Sequence, residues 1–382
     1  MTAASHFVPL MRPLRLGDLT LRNRIAMSAL TRSRAPTTIP TEIMVKYYRQ
    51  RAEGGAGLII SEGILISRQG TEWPYAPGIW NHEQVEEWKK ITDVVHAAGG
   101  YIYAQLWHLG RVSHPDAPEQ KLAGVPVYAP SAIAARGGKF RHIPGKPGYV
   151  TPTEIEDPWI LVRQFKQAAI SAKEAGFDGV ELHGAHGYLI AQFLDSTSNK
   201  RTDRWGGSIE NRARFGLEVL KAMIEVYGKN VAVKLSPAGG NNDVGMPLQE
   251  TLDTFGHFIT EADKLNLSHI TLMKYMAERD IEFDGKKRGT PHDVLASYGP
   301  LVKNAKLFIN NGVTPEEGAE LVASEKVDGI TLGIPWITHP DLVKRLEHGK
   351  ALDNAPDYKR FQWGPHEKEL GVGYTDYPTA QY

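Results

Sequence analysis

Two kinds of hydrophobic pattern alternate along the chain. Short apolar runs, rich in Val, Ile and Leu, have the length and composition of buried strands. The longer stretches between them repeat their apolar residues every three to four positions, which is the period of an amphipathic helix. Eight of the short runs predict strands, at residues 25–28, 57–64, 101–107, 179–183, 231–235, 269–273, 306–310 and 329–332.

The ends of the longer stretches carry residues that start and stop helices. Thr153 and Ser208 stand at the first position of two such stretches, and Thr314 stands just before a third, which starts with Pro315; a side-chain oxygen at such a position can cap free backbone N–H groups. Glycines, which suit the end of a helix, follow several stretches at Gly99, Gly100, Gly176 and Gly228. Together these signals predict helices at 42–53, 83–98, 153–175, 208–227, 248–265, 291–304, 315–324 and 340–348.

The repeated order of strand and helix indicates the fold. Eight such units in one chain predict the α/β class and a TIM (β/α)8 barrel formed by a single domain over residues 1–382. A doubly wound sheet is the alternative, but it would need a Gly-rich turn after an early strand. A hairpin is predicted at 14–21, and long loop excursions are predicted at 118–152 and 273–289.

Composition excludes several kinds of protein. The 44 basic and 44 acidic residues balance, and no basic run exceeds residues 286–288, so neither a nucleic acid nor an anionic membrane is an expected partner. No apolar run is long enough to span a bilayer, and the first residues lack the features of a signal peptide, which predicts a cytoplasmic protein. The absence of cysteine excludes disulfides, thiolate catalysis, Cys-ligated zinc and Cys-held iron–sulfur clusters.

Polar residues at the ends of the fourth strand suggest the chemistry. In a barrel the reacting groups lie at the C-terminal ends of the strands, where this chain has His183, His186 and Tyr188. A metal site would need a third ligand, and none stands at a suitable spacing; two structural histidines are the other plain explanation. The interpretation favoured here is that the imidazoles hydrogen-bond an oxygen that gains negative charge while the phenol delivers a proton.

Other strand ends add candidates. Gln105 in an apolar strand serves either a backbone neighbour or the amide edge of a flat heterocycle, and Lys234 places a cation that could stabilise an anionic ring. Backbone N–H groups near Gly312 and Gly333 are of the kind that hold a phosphate. Three aromatic residues are candidates to line a substrate slot, although such residues are more often core: Trp73, Trp107 and Tyr377.

The stretch from His183 to Phe215 strongly resembles the signature of the Old Yellow Enzyme family, the FMN-dependent ene-reductases. Supporting matches are Leu30-Thr-Arg-Ser-Arg34, Gln105-Leu-Trp107 and Gly373-Tyr-Thr-Asp-Tyr-Pro-Thr379. The resemblance covers nearly the whole chain.

The resemblance implies non-covalent FMN, reduced by NADPH or NADH, and a small enone-type substrate. His183 and His186 would bind the carbonyl or nitro oxygen of the substrate, hydride would pass from flavin N5 to the β-carbon, and Tyr188 would protonate the α-carbon. Thr31 matches the threonine at the flavin O4 edge, and Gly63 and Gln105 match residues that contact the flavin ring. The expected cofactor-binding residues are Ala29, Leu30, Thr31, Gly63, Gln105, Lys234, Asn311, Gly312 and Gly333.

Two departures from the family pattern concern the cofactor. Lys234 stands where the family usually has an arginine, and Ile334 stands where an arginine usually grips the FMN phosphate. We therefore expect weaker FMN retention, unless another cation, such as one from residues 286–288, takes that role. The alternatives are a redox-neutral or desaturating flavoenzyme, or a barrel without FMN that binds small molecules or catalyses a non-redox reaction. The expected oligomeric state is a monomer or a homodimer, and no metal is expected.

Overall fold

Eight parallel strands form a closed barrel, as the sequence predicts. The computed structural model describes residues 3–71, 75–137, 148–362 and 369–382. Each strand pairs with its neighbours in chain order, and the last pairs with the first through Ile330 and Ile25, which closes the barrel. The strands, numbered β1 to β8, are Ile25–Met27, Leu58–Leu65, Ile102–Trp107, Gly179–Gly184, Val231–Leu235, His269–Met273, Lys306–Asn310 and Gly329–Leu332. The eight predicted strands are confirmed to within one residue at each end.

Helices follow each strand and cover the outside of the barrel. The helices that follow the predicted order are Glu42–Glu53, His82–Ala97, Trp159–Glu174, Ile209–Tyr227, Leu248–Asp263, Val294–Tyr298, Pro315–Ala323 and Leu342–Glu347. Short additional helices lie at Ala3–His6, Val8–Met11, Pro118–Ala123, Leu189–Leu194 and Ile334–Thr338. Short strands outside the barrel pair as Leu14–Leu16 with Leu19–Leu21, Tyr128–Ala129 with Thr153–Glu154, and Glu282–Phe283 with Lys286–Lys287.

Two of the predicted helix starts are confirmed and one is wrong. The hydroxyl of Ser208 accepts a hydrogen bond from the backbone N–H of Asn211, and that of Thr314 accepts one from Glu317. Thr153 instead lies in a short strand, because its backbone N–H donates to the carbonyl of Val127 in the excursion before it. The helix starts only at Trp159, after Pro158.

The helix predicted over 291–304 is shorter than expected. It spans Val294–Tyr298 and is followed by a 3₁₀ turn over Gly299–Leu301. Pro300 has no backbone N–H to donate and restricts the residue before it, so the α-helical hydrogen bonds stop at this point.

The N-terminal hairpin closes one end of the barrel. Gly17 makes its turn with φ +55°, and Leu14, Leu16 and Leu21 pack against the inner residues Leu58 and Phe308. Because this end is filled with apolar side chains, the open end is the one at which the strands terminate. No helix within the described ranges is both long and apolar enough to cross a membrane.

Candidate active site

A cavity of about 700 Å³ opens at the C-terminal ends of the strands. This volume lies within the range typical of sites that bind cofactors and small substrates. Nine of the residues singled out in the sequence line it: Ala29, Leu30, Thr31, Gln105, Trp107, His183, His186, Tyr188 and Lys234. They come from four different strand ends, and the barrel brings them to one place.

His183 lies at the end of β4 and is buried. Its Nδ1 accepts a hydrogen bond from the backbone N–H of Ala185 at 3.3 Å, so the neutral ring carries its proton on Nε2. Burial, with a smaller effect from the nearby His186 and Lys234, lowers the pKa of His183 well below its usual range. The ring is therefore a neutral hydrogen-bond donor at pH 7.

His186 is held in an unusual backbone conformation. Its φ of +58° lies in the left-handed region that residues with a Cβ seldom adopt. Two hydrogen bonds fix it there: its backbone N–H donates to Ser236 Oγ at 2.9 Å, and its carbonyl accepts from Asn242 Nδ2 at 2.8 Å. The Nε2 atom is buried and meets no hydrogen-bond partner among the described residues. Burial, with the positive charges of Lys234 and Arg279, lowers the pKa of His186 to about 3.

The Tyr188 ring packs within the same group of side chains. Its centroid lies 5.1 Å from that of His183 and 5.0 Å from that of Trp107, edge to face in both cases. A Cβ at position 63 would lie 2.7 Å from Cε3 of Trp107. Glycine at this position is thus required for Trp107 to reach its place beside Tyr188. Gly63 is not among the residues that line the cavity.

A β-bulge in β2 accompanies this arrangement. Ile60 pairs with Tyr103 and Gly63 pairs with Gln105, so β2 has one more residue than β3 over this interval. The extra residue brings Ser61 Oγ to 3.0 Å from the backbone N–H of Gln105, from which it accepts a hydrogen bond.

Gln105 has a fixed orientation because of a buried carboxylate. Its Nε2 donates to Oε1 of Glu181 at 2.8 Å, and Glu181 is only 1% exposed. Since a carboxylate only accepts hydrogen bonds, the Gln105 amide must turn its nitrogen toward Glu181 and its oxygen away. Within the described residues nothing donates to that oxygen, and Gln105 lines the cavity. The observed partner is therefore a side chain, not the backbone neighbour that was one of the two alternatives.

Lys234 is a buried cation. Its Nζ donates to Ser28 Oγ at 3.0 Å, and its ammonium forms no salt bridge within the described residues. Burial lowers the pKa of Lys234, while the charge of Glu181 opposes this effect. A buried ammonium beside an open cavity is suited to an anionic or electron-rich ligand.

The residues predicted to hold a phosphate lie beyond the lining of this cavity. Asn311 (φ +76°) and Gly312 (φ +69°) follow β7, and Gly333 follows β8. The position of a Cβ on Gly333 is 3.4 Å from Leu30, which does line the cavity. In the described part of the chain, the backbone N–H groups of Gly312 and Gly333 donate to no acceptor.

These groups fit FMN. The free oxygen of Gln105 can accept from a ring N–H, Lys234 supplies positive charge, and the N–H groups of Gly312 and Gly333 are free donors for a phosphate. Thr31 is half-buried in the cavity wall, and its hydroxyl forms no hydrogen bond with other described residues. One end of this group of residues is thus suited to the edge of the flavin ring, and the other end is suited to the phosphate of FMN.

Of the three aromatic residues predicted to line a substrate slot, only Trp107 is among the described residues that line the cavity. Tyr377 is not part of the cavity wall: its hydroxyl accepts a hydrogen bond from the backbone N–H of Asp357 at 3.1 Å, near the surface. Trp73 lies outside the described residues. The wall contains instead several residues that sequence reasoning missed: Asn241, Asn242, Arg279, Ile281, Ile337, Tyr358, Lys359, Phe361 and Gln362.

Two buried arginines bring the C-terminal segment to the cavity. Arg32, itself in the wall, donates to the carbonyls of Phe361 at 2.6 Å and Gly373 at 2.7 Å. Arg34 donates to the carbonyls of Leu370 and Val372. The family match at residues 30–34 includes both arginines. The sequence does not reveal their partners in the C-terminal segment, which lie more than 300 positions further along the chain.

Of the three cations at residues 286–288, two are engaged elsewhere, and the exposed Lys286 does not line the cavity. Lys287 donates to the carbonyls of Ala277 and Asp280, and Arg288 forms a salt bridge with Asp243 at 3.0 Å. Arg279, from the same excursion, lies in the cavity wall. Among the described residues, no group of three or more His, Asp or Glu side chains is placed to hold a metal ion.

Comparisons with known proteins identify the family. The family model described as the NADH:flavin oxidoreductase / NADH oxidase family matches residues 9–353. The chain is 36% identical to 12-oxophytodienoate reductase 7 of Oryza sativa subsp. japonica over 390 residues, covering 97% of this chain and 94% of that relative.

Solved structures give the same result. The Old Yellow Enzyme homologue from Zymomonas mobilis has a TM-score of 0.85 at 36% identity, covering 97% of this chain and 99% of that one. Morphinone reductase in complex with tetrahydroNAD has a TM-score of 0.85 at 36% identity, covering 97% and 98%. The chain therefore belongs to the Old Yellow Enzyme family of NADH:flavin oxidoreductases, a family that uses FMN with NAD(P)H.

Proposed function

We propose that this flavin oxidoreductase reduces the C=C bond of α,β-unsaturated carbonyl or nitro compounds. The observation that carries the proposal is the group formed by His183, His186 and Tyr188 in the wall of one cavity, with ring centroids 5.1 and 5.4 Å apart. Bound FMN would supply the hydride chemistry that links the nicotinamide to the β-carbon of the alkene. The remaining requirements, an oxygen-binding site and a proton donor, are met by side chains of this chain.

The two histidines are suited to bind the substrate oxygen. Both are neutral at pH 7 because their pKa values lie far below it, so each ring offers one N–H. His183 carries its proton on Nε2, since Nδ1 is already an acceptor. Hydrogen bonds from such prepositioned donors strengthen as negative charge develops on the oxygen, and each contributes on the order of a few kcal/mol.

Tyr188 is the proposed proton donor. A phenol is a proton donor of the kind used in general acid catalysis, and it can protonate the α-carbon next to a developing enolate. The edge-to-face contacts with Trp107 and His183 hold the ring in one orientation beside the oxygen site.

The test is the visible spectrum of the purified protein under anaerobic conditions. NADPH and NADH are added separately, and cyclohexenone follows. We expect a flavin band that bleaches with the nicotinamide and returns with the enone. A band that bleaches but does not return with cyclohexenone or a nitroalkene would contradict the proposed substrate class. Protein that stays colourless after FMN is added would instead support a barrel that binds small molecules without the flavin.

A further inference from the structure

Arg279 occupies a distinctive place in the cavity. It lies in the excursion after β6 and forms part of the wall together with Lys234 and His186. It also lines a small recess that contains Asn311, the residue before Gly312. Arg279 therefore lies between the centre of the site and the end of β7.

The guanidinium of Arg279 is uncommitted. No hydrogen bond or salt bridge links it to any described residue. The contact with Asn241 is made by the backbone carbonyl of Arg279, which accepts from Asn241 Nδ2, so it leaves the side chain free. Its positive charge nevertheless acts on the cavity: it contributes to the lowered pKa values of Lys234 and His186. The excursion thus places a free cation where an anion would be favoured.

The other cations of this region have partners. Lys274 forms a salt bridge with Glu317 at 2.7 Å, and the Lys234 ammonium donates to Ser28 in the barrel interior. The donors of Arg32 bind the C-terminal segment and the hydroxyl of Tyr47. Lys359 is the remaining cation of the wall with no side-chain partner in the described ranges, but it belongs to the C-terminal segment and does not line the recess that contains Asn311.

The position of a phosphate in the barrel follows from the free backbone donors. Barrels commonly bind phosphate at the loops after the seventh and eighth strands. Here the unpartnered N–H groups of Gly312 and Gly333 mark that position, but the next residue, Ile334, brings no charge. If only neutral N–H donors held the phosphate dianion, no cation would balance its negative charge.

We infer that Arg279 binds the phosphate of FMN, so that the excursion after β6 supplies the positive charge that the end of β8 lacks. An arginine can form two parallel hydrogen bonds to one phosphate. This inference depends on FMN binding and not on the proposed alkene reduction, so one can fail while the other stands.

The test compares FMN with riboflavin, which lacks the phosphate. Apoprotein is titrated with each flavin, and the dissociation constant is measured from the quenching of flavin fluorescence. Arg279→Ala is expected to weaken FMN binding about 10- to 100-fold and to leave riboflavin binding within about twofold, because a charge-assisted hydrogen bond is lost only with FMN. Arg279→Lys should retain part of the preference, and the wild-type preference for FMN should fall as salt rises.

Two controls make the result decisive. Lys286→Ala removes an exposed cation from the same excursion, and Lys359→Ala removes the other uncommitted cation of the wall; both should keep the ratio of the two dissociation constants. An equal loss of both flavins in Arg279→Ala, or an unchanged ratio, would overturn the inference. A ratio that falls in Lys359→Ala and not in Arg279→Ala would also overturn it.

Discussion

At the scale of single residues, the site depends on which protons its side chains carry. The sequence placed His183, His186 and Tyr188 at one strand end, but only the structure shows that Nδ1 of His183 is an acceptor and that His186 has a positive φ. Burial keeps both imidazoles neutral at pH 7, and the backbone contacts of His186 fix where its ring lies. The sequence alone does not reveal the conformation of His186, since it depends on Ser236 and Asn242 in a different loop.

Replacing Tyr188 tests its role as the proton donor. We expect Tyr188→Phe to slow the reoxidation of reduced enzyme by cyclohexenone about 10²- to 10⁴-fold, the usual contribution of a general acid. Reduction by the nicotinamide should stay within about twofold, because that step needs no proton from this residue. Stopped-flow absorbance of the flavin band measures both half-reactions.

Tyr377→Phe is the matched control, because it removes the same hydroxyl from a tyrosine outside the cavity wall. It should leave both rates unchanged. Equal slowing of the two half-reactions in Tyr188→Phe would speak against the assigned role.

At the scale of elements, strands and helix ends were predictable where local signals act alone. The eight strands are apolar runs buried on both faces, and Ser208 and Thr314 cap helices as their spacing predicts. The prediction that Thr153 starts a helix was wrong, because pairing with the strand Tyr128–Ala129 outweighs the local preference for a helix cap. The excursion that carries Arg279 could not be placed, because no periodic pattern fixes where an irregular loop folds back over the barrel.

The contact between β2 and β3 gives a prediction of its own. Gly63→Ala should push Trp107 away from Tyr188 and lower the free energy of unfolding by about 1–3 kcal/mol, the usual cost of overpacking. Enone turnover should fall with it, because Trp107 helps to orient Tyr188. Urea unfolding and steady-state rates measure the two effects.

Gly256→Ala is the control for that substitution. A Cβ there meets only Leu301, at 3.7 Å, in the middle of a helix, so it should be neutral or stabilising. A Gly63→Ala protein as stable and active as the wild type would show that the Trp107 contact is dispensable.

The contact between β3 and β4 concerns the flavin ring. Glu181→Gln keeps the shape of the side chain but lets the Gln105 amide turn over, and it removes the charge that favours protonated Lys234. We expect FMN and riboflavin to be weakened by the same factor, about 10-fold, since the ring edge and not the phosphate is affected. Flavin fluorescence titration measures both constants.

Glu62→Gln, at another glutamate that is 1% exposed, should change neither constant, because Glu62 faces Tyr48 and the backbone of Arg32. A loss confined to FMN in Glu181→Gln would contradict the role given to Glu181.

At the scale of the whole molecule, buried titratable groups determine how stability depends on pH. His108, His183 and His186 all have pKa values lowered by burial, with those of His108 and His186 at about 3. The unfolded chain binds more protons at these residues once the pH falls below about 6.5, so stability is lost as the pH decreases from there toward 3. Glu62 acts in the opposite direction: burial raises its pKa to about 7, so the folded state gives up stability as the pH rises from about 4.5 to 7.

Glu62→Gln separates the two effects. The difference in unfolding free energy between the variant and the wild type should grow in favour of the variant between pH 4.5 and 8, by up to a few kcal/mol, and then level off. Urea unfolding at a series of pH values measures it. A difference that does not change with pH would mean that Glu62 ionises in the folded protein as readily as in water.

The arginine contacts with the C-terminal segment bear on how the enzyme acquires its cofactor. All eight strands are complete at Leu332, yet the cavity wall also needs residues 358–362, which Arg32 and Arg34 hold through the carbonyls of Arg360 and Phe361. During synthesis the eight strands can thus be complete before residues 358–362, which form one wall of the pocket, have been added. We therefore expect the pocket to bind flavin only once residues 358–362 have been synthesised and have docked on the barrel.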